Sequence, residues 1–159
     1  MNNDPRMAAR FLQYTHLTKL YGYLPGMADA QPAIFGLDPD AYTKITDGFA
    51  AAADDAAERL LDDADFAAKI DALPFQPGQT VLAVGDSITD DSQSWTEILR
   101  GLLERRKPGV TVINGGLSAH TTAMILRRWP ASLAEKPDWI LCLLGGFFAL
   151  HLPVAIFPQ

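Results

Sequence analysis

The chain has 159 residues, a length that suits one domain with an appended segment. Apolar residues make up 48% and charged residues 20%, the balance of an ordinary globular protein rather than a disordered or fibrous one. The formal net charge of −6 argues against nucleic acid as a partner, because such binding rests on Lys and Arg neutralising phosphates.

Residues 1–76 read as a helical N-terminal extension. Phe11, Tyr14, Leu17 and Tyr21 fall about a turn apart and predict one apolar helix face. Pro25-Gly26 and Pro32 interrupt that pattern. A second helix is expected to start at Asp38 or Asp40, with Asp as the cap and Pro39 in the first turn. Its apolar positions Tyr42, Ile45, Phe49, Ala53, Ala56 and Leu60 step by three or four. The acidic stretch Asp62–Asp65 breaks it, and a short continuation through Phe66, Ile70 and Leu73 stops at Pro74.

After the turn Pro74-Phe-Gln-Pro-Gly78 the rhythm changes, and residues 77–159 read as a strand–helix alternation. Strands are predicted at Thr80–Val84, Val110–Ile113 and Trp139–Leu144. Between them fall a helix at Trp95–Arg106 and another at about Thr121–Leu133, the latter broken at Pro130. The first of these helices should bury Trp95, Ile98, Leu99, Leu102 and Leu103. This order predicts an α/β fold with a parallel sheet, and the continuously apolar strands predict helices on both faces. Cys142 lies inside the third apolar run, so it is expected to be an inert core residue; as the sole cysteine it forms no internal disulfide. Arg105, Arg106 and Lys107 read as the solvated basic end of a helix. The N-terminus has no cationic region followed by an apolar stretch, and no uncharged run reaches the ~18 residues of a membrane span. A cytoplasmic location is the default expectation.

Two motifs carry chemistry. Gly85-Asp86-Ser87-Ile88-Thr89 ends the first strand, at the sheet edge where open α/β folds place ligands. Gly85 allows the sharp turn, Asp86 can orient it through side chain to backbone hydrogen bonds, and Ser87 can present a nucleophilic hydroxyl and a backbone N–H for an oxyanion. The alternative for the same residues is a plain helix cap. The second motif, Asn114-Gly-Gly-Leu-Ser-Ala-His-Thr-Thr122, leaves the second strand at the same edge, and a glycine there allows a backbone N–H close to a substrate oxygen. The Gly-x-Ser-x-Gly elbow, the phosphate-binding P-loop and the dinucleotide fingerprint are all lacking, and no cluster of metal-ligating residues is evident, so no cofactor and no metal are expected.

The pair of motifs resembles the first two blocks of the SGNH (GDSL-type) hydrolases, over about Gln79 to Gly146. The resemblance implies a three-layer, flavodoxin-like parallel sheet, here incomplete. It implies an esterase or lipase-like activity on acyl or acetyl esters, so a small-molecule ester is the expected partner. Ser87 is the implied nucleophile and first oxyanion donor, Gly116 the second donor, with Gly85, Asp86 and Asn114 in support. Where the family's third block has Gly-x-Asn-Asp, this chain reads Gly145-Gly146-Phe147-Phe148, and the Asp-x-x-His of the fifth block does not occur. The catalytic Asp and His are therefore absent as written, and losing a triad member costs on the order of 10⁴-fold in rate. A truncated or frame-shifted form of a longer hydrolase, departing near Phe147, is the expectation; DNA after codon 146 should then encode Asn-Asp and Asp-x-x-His in another frame.

Of the three histidines, His120 is a weak substitute base on the block-two loop, His16 is expected on a helix face or the surface, and His151 is unconstrained. Asp90 and Asp91 are expected to cap the Trp95 helix. The uncharged tail after Asp138 suggests self-association. Two function classes remain: an SGNH-type ester hydrolase, weakly active or inactive as written, and a non-catalytic binding or interaction module that keeps the sheet-edge pocket. A phosphate-handling domain is weaker, since no basic residue flanks the Gly85–Thr89 turn.

Overall fold

The structure is a computed structural model in which residues 5–145 are described. Phe147, Phe148, His151 and the apolar tail lie outside the described residues. The N-terminal part holds α1 (Pro5–Tyr14), α2 (Leu17–Tyr21), α3 (Met27–Ile34), α4 (Pro39–Leu61) and α5 (Ala64–Asp71). Then come β1 (Thr80–Gly85), α6 (Ser87–Asp90), α7 (Trp95–Arg106), β2 (Thr111–Asn114), α8 (Thr122–Arg127), α9 (Trp129–Ala134) and β3 (Trp139–Leu143).

The three strands form a parallel sheet in the order β2-β1-β3, with Val81 opposite Val112 on one side and Trp139 on the other. β1 is central and Val81 to Val84 are almost fully buried. Alternation along the strand sends successive residues to opposite faces. Val81, with Val112, meets α4, α5 and α7 through Ala57, Ile70, Leu102 and Leu103. Leu82 and Val84 meet Ile125 and Trp129 from α8 and α9. The fold is thus α/β, with helices on both faces of a parallel sheet.

Local chemistry accounts for the helix ends. Asp38 caps α4 by accepting from Ala41 N at 2.8 Å, with Pro39 as the first helical residue. Asp63 caps α5 by accepting from Asp65 and Phe66 N–H. Arg128 separates α8 from α9, and Pro130 sits in the first turn of α9, where its missing N–H is not needed.

Several expectations change. Pro32 lies inside α3 instead of ending a segment. The chain breaks at His16, so Phe11, Tyr14 and Tyr21 stay exposed, and Leu12 is the buried residue of α1. In α4 the buried line is Ala53–Ala57, and Leu60 is exposed. The reason is the approach of α7: a Cβ on Gly101 would lie 3.0 Å from Ala57 Cβ, so small residues set this contact. Arg105 and Arg106 are not simply solvated. They pair with Asp54 of α4 and Asp71 of α5, although exposed pairs of this kind contribute little stability. Cys142 is exposed, because β3 is an edge strand whose residues are only partly covered by described elements. No helix among the described residues is long and apolar enough to cross a membrane.

Candidate active site

The chain reverses off β1 within a single residue. A Cβ on Gly85 would sit 2.0 Å from Thr89 Oγ1 and 2.9 Å from the Leu143 carbonyl oxygen, so only glycine fits between α6 and β3. Asp86 is buried and caps α6, its Oδ1 accepting from Ile88 N at 3.0 Å. Ser87 is the first residue of α6 and is half-buried, opening into a cleft of about 600 Å³ with Tyr14, Asp91 and Trp95. The turn and loop hydrogen bonds leave Ser87 N–H without a described acceptor. No described side chain hydrogen-bonds Ser87 Oγ.

The second loop packs directly beneath the first. A Cβ on Gly116 would lie 2.4 Å from Asp90 N and 2.7 Å from the Thr89 carbonyl carbon. Gly116 N–H donates to Asn114 Oδ1 at 3.0 Å. In this conformation the amide is turned into its own loop, so it does not stand free as an oxyanion donor beside Ser87. Asn114 Nδ2 in turn donates to Glu97 Oε1 at 2.8 Å, which ties β2 to α7. Three residues further, Ala119 holds φ at +63°, a left-handed conformation that L side chains adopt at a cost. His120 follows it, its Nδ1 buried without a hydrogen-bond partner. Burial, reinforced by the Arg128 charge and opposed by Asp90, pushes the His120 imidazole down, which favours the neutral form of a base.

Asp90 and His16 depart from expectation. Ser94, not Asp90 or Asp91, occupies the cap position of α7. Asp90 is only 2% exposed, and its carboxylate accepts four hydrogen bonds. His16 Nδ1 and Lys19 Nζ reach Oδ1 at 2.8 and 2.7 Å, and Ser118 N and Oγ reach Oδ2 at 2.8 Å each. Burial pushes this carboxyl up, but the hydrogen bonds and charges of His16 and Lys19 outweigh it and hold the group well below the usual carboxylate range. Lys19 also donates to Asn114 Oδ1 and Gly116 O at 3.2 Å. Asp91 accepts from Gln13 Nε2 at 3.0 Å. The α1–α2 junction is therefore bound to both motif loops. Sequence reasoning missed it because His16 and Asp90 are far apart in the chain; the only local signal was a histidine and a lysine one turn apart at a helix break.

A strand running into Gly-Asp-Ser, a serine opening a short helix and a glycine-bearing loop packed against that helix lie together at one edge of the sheet. Residues 83–147 match the GDSL-like lipase/acylhydrolase family. The chain is similar to Esterase TesA of Pseudomonas aeruginosa, 42% identical over 74 residues, which is 43% of this chain and 37% of that one. It is also similar to the Arylesterase of Vibrio mimicus, 36% identical over 77 residues, covering 45% of this chain and 38% of the other. The chain thus spans less than two fifths of the length of these curated relatives. The GDSL-type segment begins inside β1 and takes in both motif loops, while α1 to α5 lie outside it.

Proposed function

We propose that this chain carries the nucleophile half of an SGNH-type ester-hydrolysing site, with Ser87 as the nucleophile. The observation that carries the reading is the placement of Ser87: half-buried at the β1–α6 junction, facing a cleft, with no acceptor for its N–H among the described residues. Ser87 Oγ attacks the carbonyl carbon of a small acyl or acetyl ester, and Ser87 N–H supports the oxyanion. The family likeness supports ester chemistry, and the esterase names of the relatives point the same way. Gly116 contributes here by letting α6 pack close, and its amide joins the oxyanion site only if Asn114 Oδ1 releases it.

The lack of a hydrogen-bond partner for Ser87 Oγ among the described residues sets the expected rate. A serine without a positioned base loses on the order of 10⁴-fold relative to a complete triad. His120 is the nearer candidate by sequence position, on the loop that packs under α6, and its neutral form suits the role. The test is hydrolysis of a short-chain aryl ester by the wild-type chain and by Ser87→Ala. Slow hydrolysis that disappears in Ser87→Ala supports the enzyme. Equal rates in both would leave the non-catalytic binding module as the better reading of this cleft.

A further inference from the structure

A cavity of about 840 Å³ lies apart from Ser87, which does not line it. His16, Asp90 and Ser92 all line it, and they are linked in series. Ser92 Oγ lies 2.9 Å from His16 Nε2, and His16 Nδ1 lies 2.8 Å from Asp90 Oδ1. Asp90 is an ionised, buried acceptor, so the ring nitrogen facing it must carry a proton. The neutral imidazole then presents Nε2 as an acceptor, and the Ser92 hydroxyl is positioned to donate to it. Gln13 O, at 3.3 Å, is a second and longer acceptor for the same hydroxyl proton. Ser118 and Lys19 hold the carboxylate from its other sides, which fixes the plane against which the ring is set. His16 remains 23% exposed, so the relay is reachable from the cavity.

We propose that Ser92, His16 and Asp90 form a second nucleophilic site, distinct from Ser87, that cleaves uncharged carboxylic esters with an apolar acyl group. A serine–histidine–aspartate constellation is defined by geometry and roles, not by chain order. Both hydrogen-bond lengths are those of a working nucleophile–base–carboxylate set. The substrate class follows from the walls. Phe49, Ala50, Ala53 and Ile113 supply apolar surface, while the cavity's cations Lys19 and Arg100 are already paired with Asp90 and Glu97. In the reaction Ser92 Oγ bonds to the carbonyl carbon as its proton passes to His16 Nε2. The adduct collapses with cleavage of the ester C–O bond, and His16 returns the proton to the departing alkoxide. Water then attacks the acyl-Ser92, His16 taking its proton, which frees the carboxylic acid and restores the hydroxyl. The base comes from the N-terminal extension and the nucleophile from the loop after α6, so the site exists only when the two parts are packed together.

The experiment treats the full chain with a fluorophosphonate, whose fluoride a reactive serine displaces. Proteolysis on the N-terminal side of Asp91 separates Ser87 from Ser92, and fragmentation of the downstream peptide distinguishes Ser92 from Ser94. The expected adduct is on Ser92 in the wild type and in Ser87→Ala, with none in Ser92→Ala. His16→Gln should label at least about a hundredfold more slowly, a conservative fraction of what loss of a triad base costs. Asp90 positions the ring, so Asp90→Glu should recover part of the rate lost in Asp90→Ala. An adduct confined to Ser87 would overturn this proposal while supporting the Ser87 reading. Absence of any Ser92 adduct, or Ser92 labelling at an unchanged rate in His16→Gln, would likewise overturn it.

Discussion

Replacing Asp90 by Asn removes one charge and disturbs four hydrogen bonds at a position that is 2% exposed. The carboxylate is the common acceptor for His16 and Lys19 from the N-terminal helices and for Ser118 from the loop after β2. Breaking a buried ion pair by removing one partner costs about 3–5 kcal/mol. Lys19 and His16 keep 27% and 23% of their side-chain surface in solvent, so water relieves part of that cost. The expected loss for Asp90→Asn is therefore about 2–4 kcal/mol, and a chain of this size should melt about 4–16 °C lower. Urea denaturation at pH 7, followed by tryptophan fluorescence, measures it. The pH dependence carries a sign. The folded carboxyl is held well below its ordinary range. A lowered folded pKa gives stabilisation that is complete above the unfolded value, about 3.9, and is lost as pH falls through the folded one. The gap between wild type and Asp90→Asn should keep its full size from pH 7 to about 5 and close only below about 4. A loss under about 1 kcal/mol, or a gap that already closes between pH 7 and 5, would refute the argument that Asp90 is an ionised tether.

Other substitutions probe the same region. Ala119→Gly should raise stability by roughly 0.5–1 kcal/mol, because glycine adopts φ of +63° without the strain alanine bears there; a lower urea midpoint would contradict this. Gly116→Ala should cost about 1–3 kcal/mol, since its methyl would lie 2.4 Å from Asp90 N and push α6 off the loop; an unchanged midpoint would show that the loop yields freely. Cys142 is exposed and should react completely with a thiol reagent in the native protein, whereas reaction only after adding denaturant would restore the core assignment made from its apolar neighbours.

Much of the fold was legible because it is written locally. The apolar run of β1 ending at Gly85, the aspartate cap at Asp38, the break in the acidic stretch Asp62–Asp65 and the stop before Pro74 all appear where backbone stereochemistry requires them. Ser87 was legible for the same reason, as the residue after a strand-ending Gly-Asp. Burial was less legible. Phe11 and Leu60 have the right spacing for a core face but lie outside it: the chain breaks at His16 after α1, and the approach of α7 to α4 is set by the small residues Ala57 and Gly101. Cys142 reads as core in an apolar strand, yet its cover depends on what packs against an edge. The role of Gly116 as a second oxyanion donor was implied by the family resemblance. Its surroundings show close packing against α6 and an amide that donates to Asn114 Oδ1.

By itself the sequence determined the strand–helix order and the turn that presents Ser87. These rest on backbone geometry and side-chain periodicity, which act within a few residues. Only the tertiary structure decided that His16 meets Ser92 and Asp90, and that Lys19 joins them. A buried carboxylate must be satisfied by whichever donors packing brings to it, and here two of them, His16 and Lys19, come from a segment more than 70 residues away along the chain.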